Sequence, residues 1–229
     1  MSKLDEVQHR FEWDAANFAA IYNSDSFAFR LFNRVFRKAI FARYEIAMQE
    51  TGARGASILD IGCGSGIYSV ELARRGAKRV LGLDFSEPML EIARASAAQS
   101  GLTAQTEFRR GEFLAHDFAG ETFDVTIAMG VFDYLEEAQP FLAKMAKLTR
   151  GKALASFPKW SIVRGTARRL RYRVTRRGDV FYYTADDIAR LATSAGFARH
   201  RLVRIASSGG GWVLIGENQR EATIERPRS

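Results

Sequence analysis

The apolar positions of this chain fall into short runs that are separated by stretches of helical spacing. Ser57–Ile61 is rich in Ile and Leu, as expected of a strand buried on both faces, and residues 68–73 then follow helical spacing. Similar runs predict six further strands, at residues 79–84, 103–110, 122–130, 151–157, 199–206 and 212–216. This alternation predicts an α/β fold with a doubly wound, mostly parallel seven-stranded sheet. A glycine-rich hairpin at 207–211 makes the last strand antiparallel.

The two ends of the chain depart from this alternation. Residues 1–50 hold seven phenylalanines, and the apolar positions from Phe32 to Ile40 keep the spacing of one helix face. We therefore expect a helical N-terminal leader at 1–50, a core at 51–217 and a polar, flexible tail at 218–229.

Charge and cysteine content narrow the class of protein. The net charge is +8, and residues 159–177 hold eight basic side chains and no acid, so the rest of the chain is neutral. A single cysteine, Cys63, excludes an internal disulfide and fits a reducing compartment. No apolar run approaches the roughly 20 residues that span a bilayer, and the polar N-terminus does not resemble a signal peptide. These features predict a cytoplasmic protein.

Three glycines at alternate positions follow the first predicted strand and precede the first helix of the core. Gly62, Gly64 and Gly66 would bring backbone N–H groups and a helix N-terminus close to a ligand. A dinucleotide-binding turn reads G-x-G-x-x-G, whereas the third glycine here comes one residue early. Asp60, two residues before the turn, would repel a pyrophosphate but could receive the ammonium of a cationic ligand.

The run Asp60-x-Gly62-Cys63-Gly64-x-Gly66 resembles the first motif of the class I S-adenosylmethionine-dependent methyltransferases. The resemblance covers about residues 10–216 and implies a Rossmann-like methyltransferase fold, S-adenosylmethionine as cofactor and SN2 transfer of its methyl group. Such transfer depends chiefly on proximity and alignment, because the sulfonium is already activated.

A second carboxylate, Asp84, ends the next predicted strand, one βαβ step after Asp60. A carboxylate at that place can accept both ribose hydroxyls of a nucleoside. Phe85 would pack on the adenine face, and Met89 faces back from the following helix. The resemblance implies that Glu112, beside Phe113, meets the adenine amino group. It also implies that the fourth strand, which ends near Met129, faces the transferred methyl group.

Candidate catalytic residues lie on the leader and just past the fourth strand. Residues 13–22 resemble the leader that covers the cofactor in many small-molecule methyltransferases, and Tyr22 carries a polar tip that could point at the sulfonium or the acceptor. Asp133 and Tyr134 are the candidates past strand four. That strand lacks the Asp-Pro-Pro-Tyr-like or Asn-Pro-Pro-Tyr-like run of amino-methylating nucleic-acid enzymes.

The basic segment 159–177 follows the fifth strand directly. Val163, Ala167, Leu170 and Val174 line one face of a predicted helix, and the arginines occupy the others. Three roles remain open: a solvated surface, a clamp for an anionic acceptor, or a peripheral membrane contact through 162–174.

The sequence therefore predicts a methyltransferase acting on a small molecule, by O- or N-methylation of an anionic or amphiphilic metabolite. The alternative is an RNA methyltransferase whose arginines contact phosphates. A non-catalytic cofactor-binding protein is disfavoured by the intact glycine motif and Asp84. We expect no metal, because no histidine pairs with a second ligand at metal spacing. A looser similarity, on which no prediction rests, links residues 129–135 and 157–158 and the arginine segment to porphyrin-carboxylate methyltransferases.

Overall fold

The computed structural model describes residues 41–158, 181–206 and 210–218. Several predictions concern other parts of the chain and lie outside the described residues: the leader up to residue 40 with Tyr22, the basic insert 159–177 with its helix at 162–174, and the tail from residue 219. Residues 41–50 of the predicted leader are helical and form α1. Asn218, where the predicted tail begins, donates hydrogen bonds from its side chain to the carbonyls of Ala146 and Thr149.

Seven strands form one sheet, which confirms the predicted fold class. Their order is β3-β2-β1-β4-β5-β7-β6. Every neighbouring pair is parallel except the two that include β7, which runs antiparallel to β5 and to β6. The strands are β1 (Ser57–Ile61), β2 (Arg79–Asp84), β3 (Thr106–Arg110), β4 (Phe123–Ala128), β5 (Thr149–Pro158), β6 (Arg199–Arg204) and β7 (Gly211–Glu217).

The remaining described helices are α2 (Ile67–Arg74), α3 (Glu87–Gln99), α4 (Ala138–Leu148) and α5 (Ala185–Ala195). One core cluster joins the sheet to buried residues of α4 and α5, such as Leu142 and Ile188. A second cluster joins it to α1 and α2, through residues such as Ala47 and Leu72. Helices therefore cover both faces, as parallel strands without a polar face require. Among the described residues, no helix combines the length and the apolar character needed to cross a membrane.

Local chemistry explains where several elements begin and end. The Thr184 hydroxyl accepts the Asp187 N–H and the Asp187 side chain accepts the Thr184 N–H, so a capping box starts α5. Strand β3 begins at Thr106, three residues later than predicted, because the Thr106 N–H and hydroxyl both donate to the Leu102 carbonyl and close a turn. Strand β4 ends at Ala128, two residues earlier than predicted, because Gly130 turns the chain with a φ of 89°.

The strand order places the ligand-binding edge. The chain runs outward from β1 through β2 to β3, then returns to the other side of β1 as β4. The carboxyl ends of β1 and β4 therefore border the crevice where ligands bind in open α/β sheets. The glycine turn leaves β1 at this point, and Gly130 leaves β4 beside it.

Candidate cofactor-binding site

The three glycines of the turn after β1 all have positive φ, but their surroundings differ. A Cβ on Gly62 would lie 2.6 Å from Val131 Cγ2, and one on Gly66 would lie 2.8 Å from the Ala93 Cβ. Those two glycines allow close packing of the turn against its neighbours. A Cβ on Gly64, whose φ is 52°, would meet nothing within 4 Å. The space over Gly64 is the part of the turn that a ligand can approach.

Asp84, at the carboxyl end of β2, holds this turn in place. Its Oδ2 accepts a hydrogen bond from the Gly64 N–H at 2.8 Å, and its Oδ1 accepts one from the Ser86 N–H at 2.9 Å. The residue is 8% exposed. Burial raises the pKa of Asp84, and these backbone hydrogen bonds oppose the rise. Each carboxylate oxygen can accept a second hydrogen bond, so Asp84 can also receive hydroxyl groups.

Asp60 lies beneath the same turn and is 1% exposed. Its Oδ2 accepts a hydrogen bond from the Ser69 hydroxyl, at 2.6 Å, in the first part of α2. Burial raises the pKa of Asp60 to about 7, the Ser69 hydroxyl offsets part of the rise, and the charge of Asp84 adds to it. A buried carboxylate of this kind is stabilised in its charged form by a bound cation.

Two further residues of this region, Arg43 on α1 and Tyr68 on α2, were not predicted from the sequence. A Cβ on Gly130 would be 2.9 Å from Arg43 Nη1, so the guanidinium lies against the chain where it leaves β4. The Arg43 Nε and the Tyr68 hydroxyl are buried, and neither finds an acceptor in the described structure. Burial raises the pKa of the Tyr68 hydroxyl, and the Arg43 charge opposes the rise. In sequence, Arg43 looks like any surface arginine of a helix.

The turn after β4 is fixed from the neighbouring strand. The Gly130 N–H donates to the Ser156 hydroxyl of β5 at 2.8 Å, and Ser156 is buried. Asp133 and Tyr134, the predicted candidates for catalysis, follow this turn and are half-buried. The Tyr134 N–H donates to the Val131 carbonyl at 3.0 Å, and the Asp133 carbonyl accepts the Phe181 N–H at 3.2 Å. These bonds fix the backbone of both residues in the segment that follows β4.

The other predicted cofactor residues have varied surroundings. Phe85 is half-buried at the end of β2, and Met89 is buried at the start of α3. The Glu112 carboxylate accepts the N–H groups of Leu114 and Ala115 and so stabilises its own turn. The remaining two, Phe113 and Met129, are buried in the core.

The ring of Phe113 lies 4.4 Å from that of Phe141 on α4, measured between centroids. Met129 belongs to the core cluster that includes Ala47 and Met48 of α1. The structure thus brings Asp60, Asp84 and the glycine turn together, and it places these two predicted side chains among core residues. Across residues 41–158, 181–206 and 210–218, no group of three or more His, Cys, Asp or Glu side chains could hold a metal ion.

Comparison with known proteins shows which protein family the core of the chain resembles. Residues 58–152 match the model of a family described as a methyltransferase domain. This part of the chain is therefore similar to methyltransferase domains. The match begins in β1 and ends in β5, so it includes the glycine turn, Asp84 and the residues after β4. The family predicted from the glycine motif is confirmed.

Curated relatives match less than half of the chain. A ubiquinone biosynthesis O-methyltransferase of Sinorhizobium fredii is 40% identical over 97 residues, which cover 42% of this chain and 38% of that protein. The chain spans about two fifths of the length of the curated relatives it matches.

Solved structures extend the similarity of fold to more of the chain. The crystal structure of a magnesium protoporphyrin IX methyltransferase from Synechocystis with bound SAH has a TM-score of 0.74 at 20% identity, covering 93% of this chain and 98% of that one. A geranyl diphosphate C-methyltransferase from Streptomyces coelicolor has a TM-score of 0.62 at 15% identity, covering 78% and 79%. The two names describe different acceptors, so the shared fold does not determine the acceptor.

Proposed function

We propose that this protein is an S-adenosylmethionine-dependent methyltransferase that acts on a small molecule. The observation that carries the proposal is the glycine turn, open over Gly64 and joined to the buried Asp84 carboxylate by a 2.8 Å hydrogen bond. Backbone groups and an acidic side chain meet there at the carboxyl ends of β1 and β2, where a nucleoside fits. When bound, S-adenosylmethionine supplies a methyl group that its sulfonium has activated.

The nucleoside part of the cofactor fits the β2 side of the site. Asp84 would accept the ribose hydroxyls through the oxygen lone pairs that the Gly64 and Ser86 N–H groups leave free. Phe85 and Met89 would flank the adenine, and Glu112 in the next turn would meet its amino group. The Gly111 N–H donates to the Asp84 carbonyl at 2.9 Å, which keeps the Glu112 turn close to the ribose side.

The amino-acid part of the cofactor is a zwitterion, and the other side of the site has charges to match. Asp60 would attract the ammonium, directly or through water. The Arg43 guanidinium, beside Gly130 and with its Nε unpartnered, would bind the carboxylate. Asp60 precedes the glycine turn and Arg43 faces the end of β4, so the two charges border the crevice between β1 and β4.

The acceptor is a small molecule, O- or N-methylated, in this proposal. Support comes from the relatives: one is named for ubiquinone biosynthesis and a similar structure for magnesium protoporphyrin IX. Both names describe small, largely apolar molecules. Asp133 and Tyr134 after β4 are the acceptor-side candidates, together with Tyr22 of the leader. RNA, the alternative acceptor, has no support from the relatives described above.

The remaining predictions complete the proposal. The leader 1–50 would cover the site, and the basic insert 159–177 would bind an anionic acceptor or contact a membrane through 162–174. We place the protein in the cytoplasm. The tail from residue 218 would have no part in binding.

A methyl-transfer assay tests this function. The purified chain is incubated with S-adenosylmethionine carrying a tritiated methyl group, and with a catechol quinone precursor, magnesium protoporphyrin IX, or total RNA in separate reactions. We expect label in one of the two small-molecule reactions. A Gly64→Val variant, whose side chain would fill the space over the turn, serves as the inactive control. Label in the RNA reaction alone would overturn the choice of acceptor. Failure of the parent to bind S-adenosylhomocysteine in calorimetry would overturn the whole proposal.

A further inference from the structure

Tyr68 is the second residue of α2, two positions after Gly66. The surroundings of its hydroxyl indicate a role in the cofactor-binding site. Its ring packs against that of Tyr44 on α1, with centroids 5.7 Å apart, so the ring is held between two helices. The hydroxyl oxygen is buried, and its proton has no acceptor among the described residues. A buried hydroxyl left unpaired costs about 1–3 kcal/mol. Such a group in a binding crevice indicates a partner that arrives with the ligand.

The neighbours of this hydroxyl define what that partner is. The Arg43 guanidinium lies close to the phenol, whose pKa it lowers by its charge and by a side-chain hydrogen bond, and its own Nε is buried with no partner. Two buried donors from adjacent helices thus lack acceptors at the same place. An anionic group with two or more acceptor oxygens can satisfy both, and a carboxylate is the simplest group of this kind.

The opposite charge of the site is anchored by the next residue of the same helix. Ser69 donates to the Asp60 carboxylate at 2.6 Å, while Tyr68 precedes it and presents its hydroxyl near Arg43. Consecutive residues of α2 therefore lie beside groups of opposite charge, Ser69 beside Asp60 and Tyr68 beside Arg43.

We propose that the Tyr68 hydroxyl binds the carboxylate of the cofactor's amino-acid part, as a second donor beside Arg43. This rests on the proposed function and adds a residue that neither the glycine motif nor the family match assigns. In this proposal the hydroxyl binds only the amino-acid end of the ligand and makes no contact with the nucleoside. Tyr68 is a binding residue that selects ligands carrying the intact amino acid.

A pair of ligands isolates this contact. S-adenosylhomocysteine carries the amino-acid group, whereas 5′-methylthioadenosine keeps the nucleoside and the sulfur and lacks that group. Calorimetry with Tyr68→Phe should show a dissociation constant for S-adenosylhomocysteine raised at least about tenfold, the effect of one lost hydrogen bond to a charged group. The constant for 5′-methylthioadenosine should stay within about twofold of the parent's. Arg43→Gln should show the same pattern with a larger change.

Tyr44→Phe is the matched control, because it removes a hydroxyl from the ring that packs on Tyr68. It should leave both dissociation constants unchanged. In the absence of ligand, Tyr68→Phe should melt at or above the parent's temperature, since the variant loses a buried hydroxyl whose proton has no acceptor.

Three outcomes would overturn the inference: an unchanged constant for S-adenosylhomocysteine, an equal weakening for both ligands, or a lower melting temperature of the free variant. The last of these would show a structural partner for the hydroxyl. If the parent bound neither ligand, the proposed function would fail together with the inference. Binding of both ligands by the parent, with Tyr68→Phe without effect, would remove only the role of Tyr68.

Discussion

The Asp84 carboxylate accepts a hydrogen bond from the Gly64 backbone N–H at 2.8 Å, so the end of β2 holds the turn that follows β1. The same carboxylate accepts the Ser86 N–H at the start of α3. One buried side chain thereby joins two strands and the helix after the second of them. Any hydroxyl group that Asp84 binds is positioned relative to the glycine turn, because both share the same carboxylate.

Asp84→Asn should weaken cofactor binding and lower stability together. An amide has one acceptor oxygen instead of two, so either the Gly64 or the Ser86 N–H loses its partner, and the ribose loses a charged acceptor. We expect the dissociation constant of S-adenosylhomocysteine to rise at least about tenfold in calorimetry. The melting temperature should fall by several degrees, roughly what 1–2 kcal/mol produces.

Asp117→Asn is the control for this change. Asp117 Oδ1 accepts the Ala119 N–H at 2.8 Å in an exposed loop, a similar local bond away from the glycine turn. That variant should keep the parent's affinity. An unchanged affinity in Asp84→Asn itself would contradict the ribose role and leave Asp84 as a residue that only stabilises the turn.

Gly64→Ala and Gly66→Ala should fail in different ways. Both glycines have φ in the left-handed region, at 52° and 77°, so the backbone strain of an alanine destabilises the protein by about 1–2 kcal/mol at each position. The new Cβ at Gly66 would lie 2.8 Å from the Ala93 Cβ and force α2 away from α3, whereas at Gly64 it meets nothing. We expect Gly66→Ala to lower the melting temperature more, and Gly64→Ala to lose more cofactor affinity per degree of melting temperature lost.

Thermal denaturation and calorimetry on the two variants give the comparison. Equal loss of stability in both variants, with equal loss of affinity, would show that the space over Gly64 is not part of the binding site.

Local sequence predicted the first half of the site and missed the second. The turn after β1 and Asp84 at the end of β2 depend on strand, turn and helix signals within about 30 residues, and such signals can be read directly. Arg43 and Tyr68 join the candidate site only because α1 packs beside the end of β4. That contact joins segments distant in sequence, so no local pattern predicts it. The bond from the Gly130 N–H to the Ser156 hydroxyl is of the same kind.

Side-chain direction was the other limit of sequence reasoning. Phe113 and Met129 follow strand ends, where the motif predicts contact with the cofactor, but in the structure both side chains pack into the core. A position at a strand end fixes the backbone and leaves open which face the side chain takes. The phenylalanines on α4 and around it decide this for Phe113, because they offer its ring apolar contacts, as at Phe141.

Asp60 should make both stability and cofactor affinity depend on pH near neutrality. Its pKa is raised from 3.8 to about 7, so its contribution to stability is complete below pH 3.8 and is lost as the pH rises through 7. The free protein should therefore melt at a lower temperature at pH 8 than at pH 6. A cationic group bound beside Asp60 favours the charged carboxylate, so the dissociation constant of S-adenosylhomocysteine should fall by up to about tenfold over the same range.

Asp60→Asn should flatten both profiles, because an amide does not titrate in this range. Binding of 5′-methylthioadenosine, which lacks the ammonium, should not tighten as the pH rises and provides a ligand control. A parent affinity that is constant from pH 6 to 8 would contradict the pairing of Asp60 with the ammonium. The carboxyl of Asp124 is not expected to interfere, since its pKa is lowered to about 2 by hydrogen bonds from Ser57 and Arg150 that outweigh its burial.

Asp133 and Tyr134 should affect methyl transfer more than cofactor binding. They follow the Gly130 turn, which the Ser156 hydroxyl holds beside the crevice, and the bonds from the Phe181 and Tyr134 N–H groups fix their backbone. Asp133→Asn and Tyr134→Phe keep side-chain size and change the acid or the hydroxyl.

With the acceptor that gains label in the transfer assay, kcat should fall about tenfold or more, the contribution of a lost general base or orienting hydrogen bond. The dissociation constant of S-adenosylhomocysteine should stay within about twofold, because we propose that both residues act on the acceptor. Glu137→Gln, an exposed residue at the start of α4, is the matched control and should behave as the parent. If both variants retain the parent's kcat, the acceptor is oriented by other groups, with Tyr22 the next residue to change.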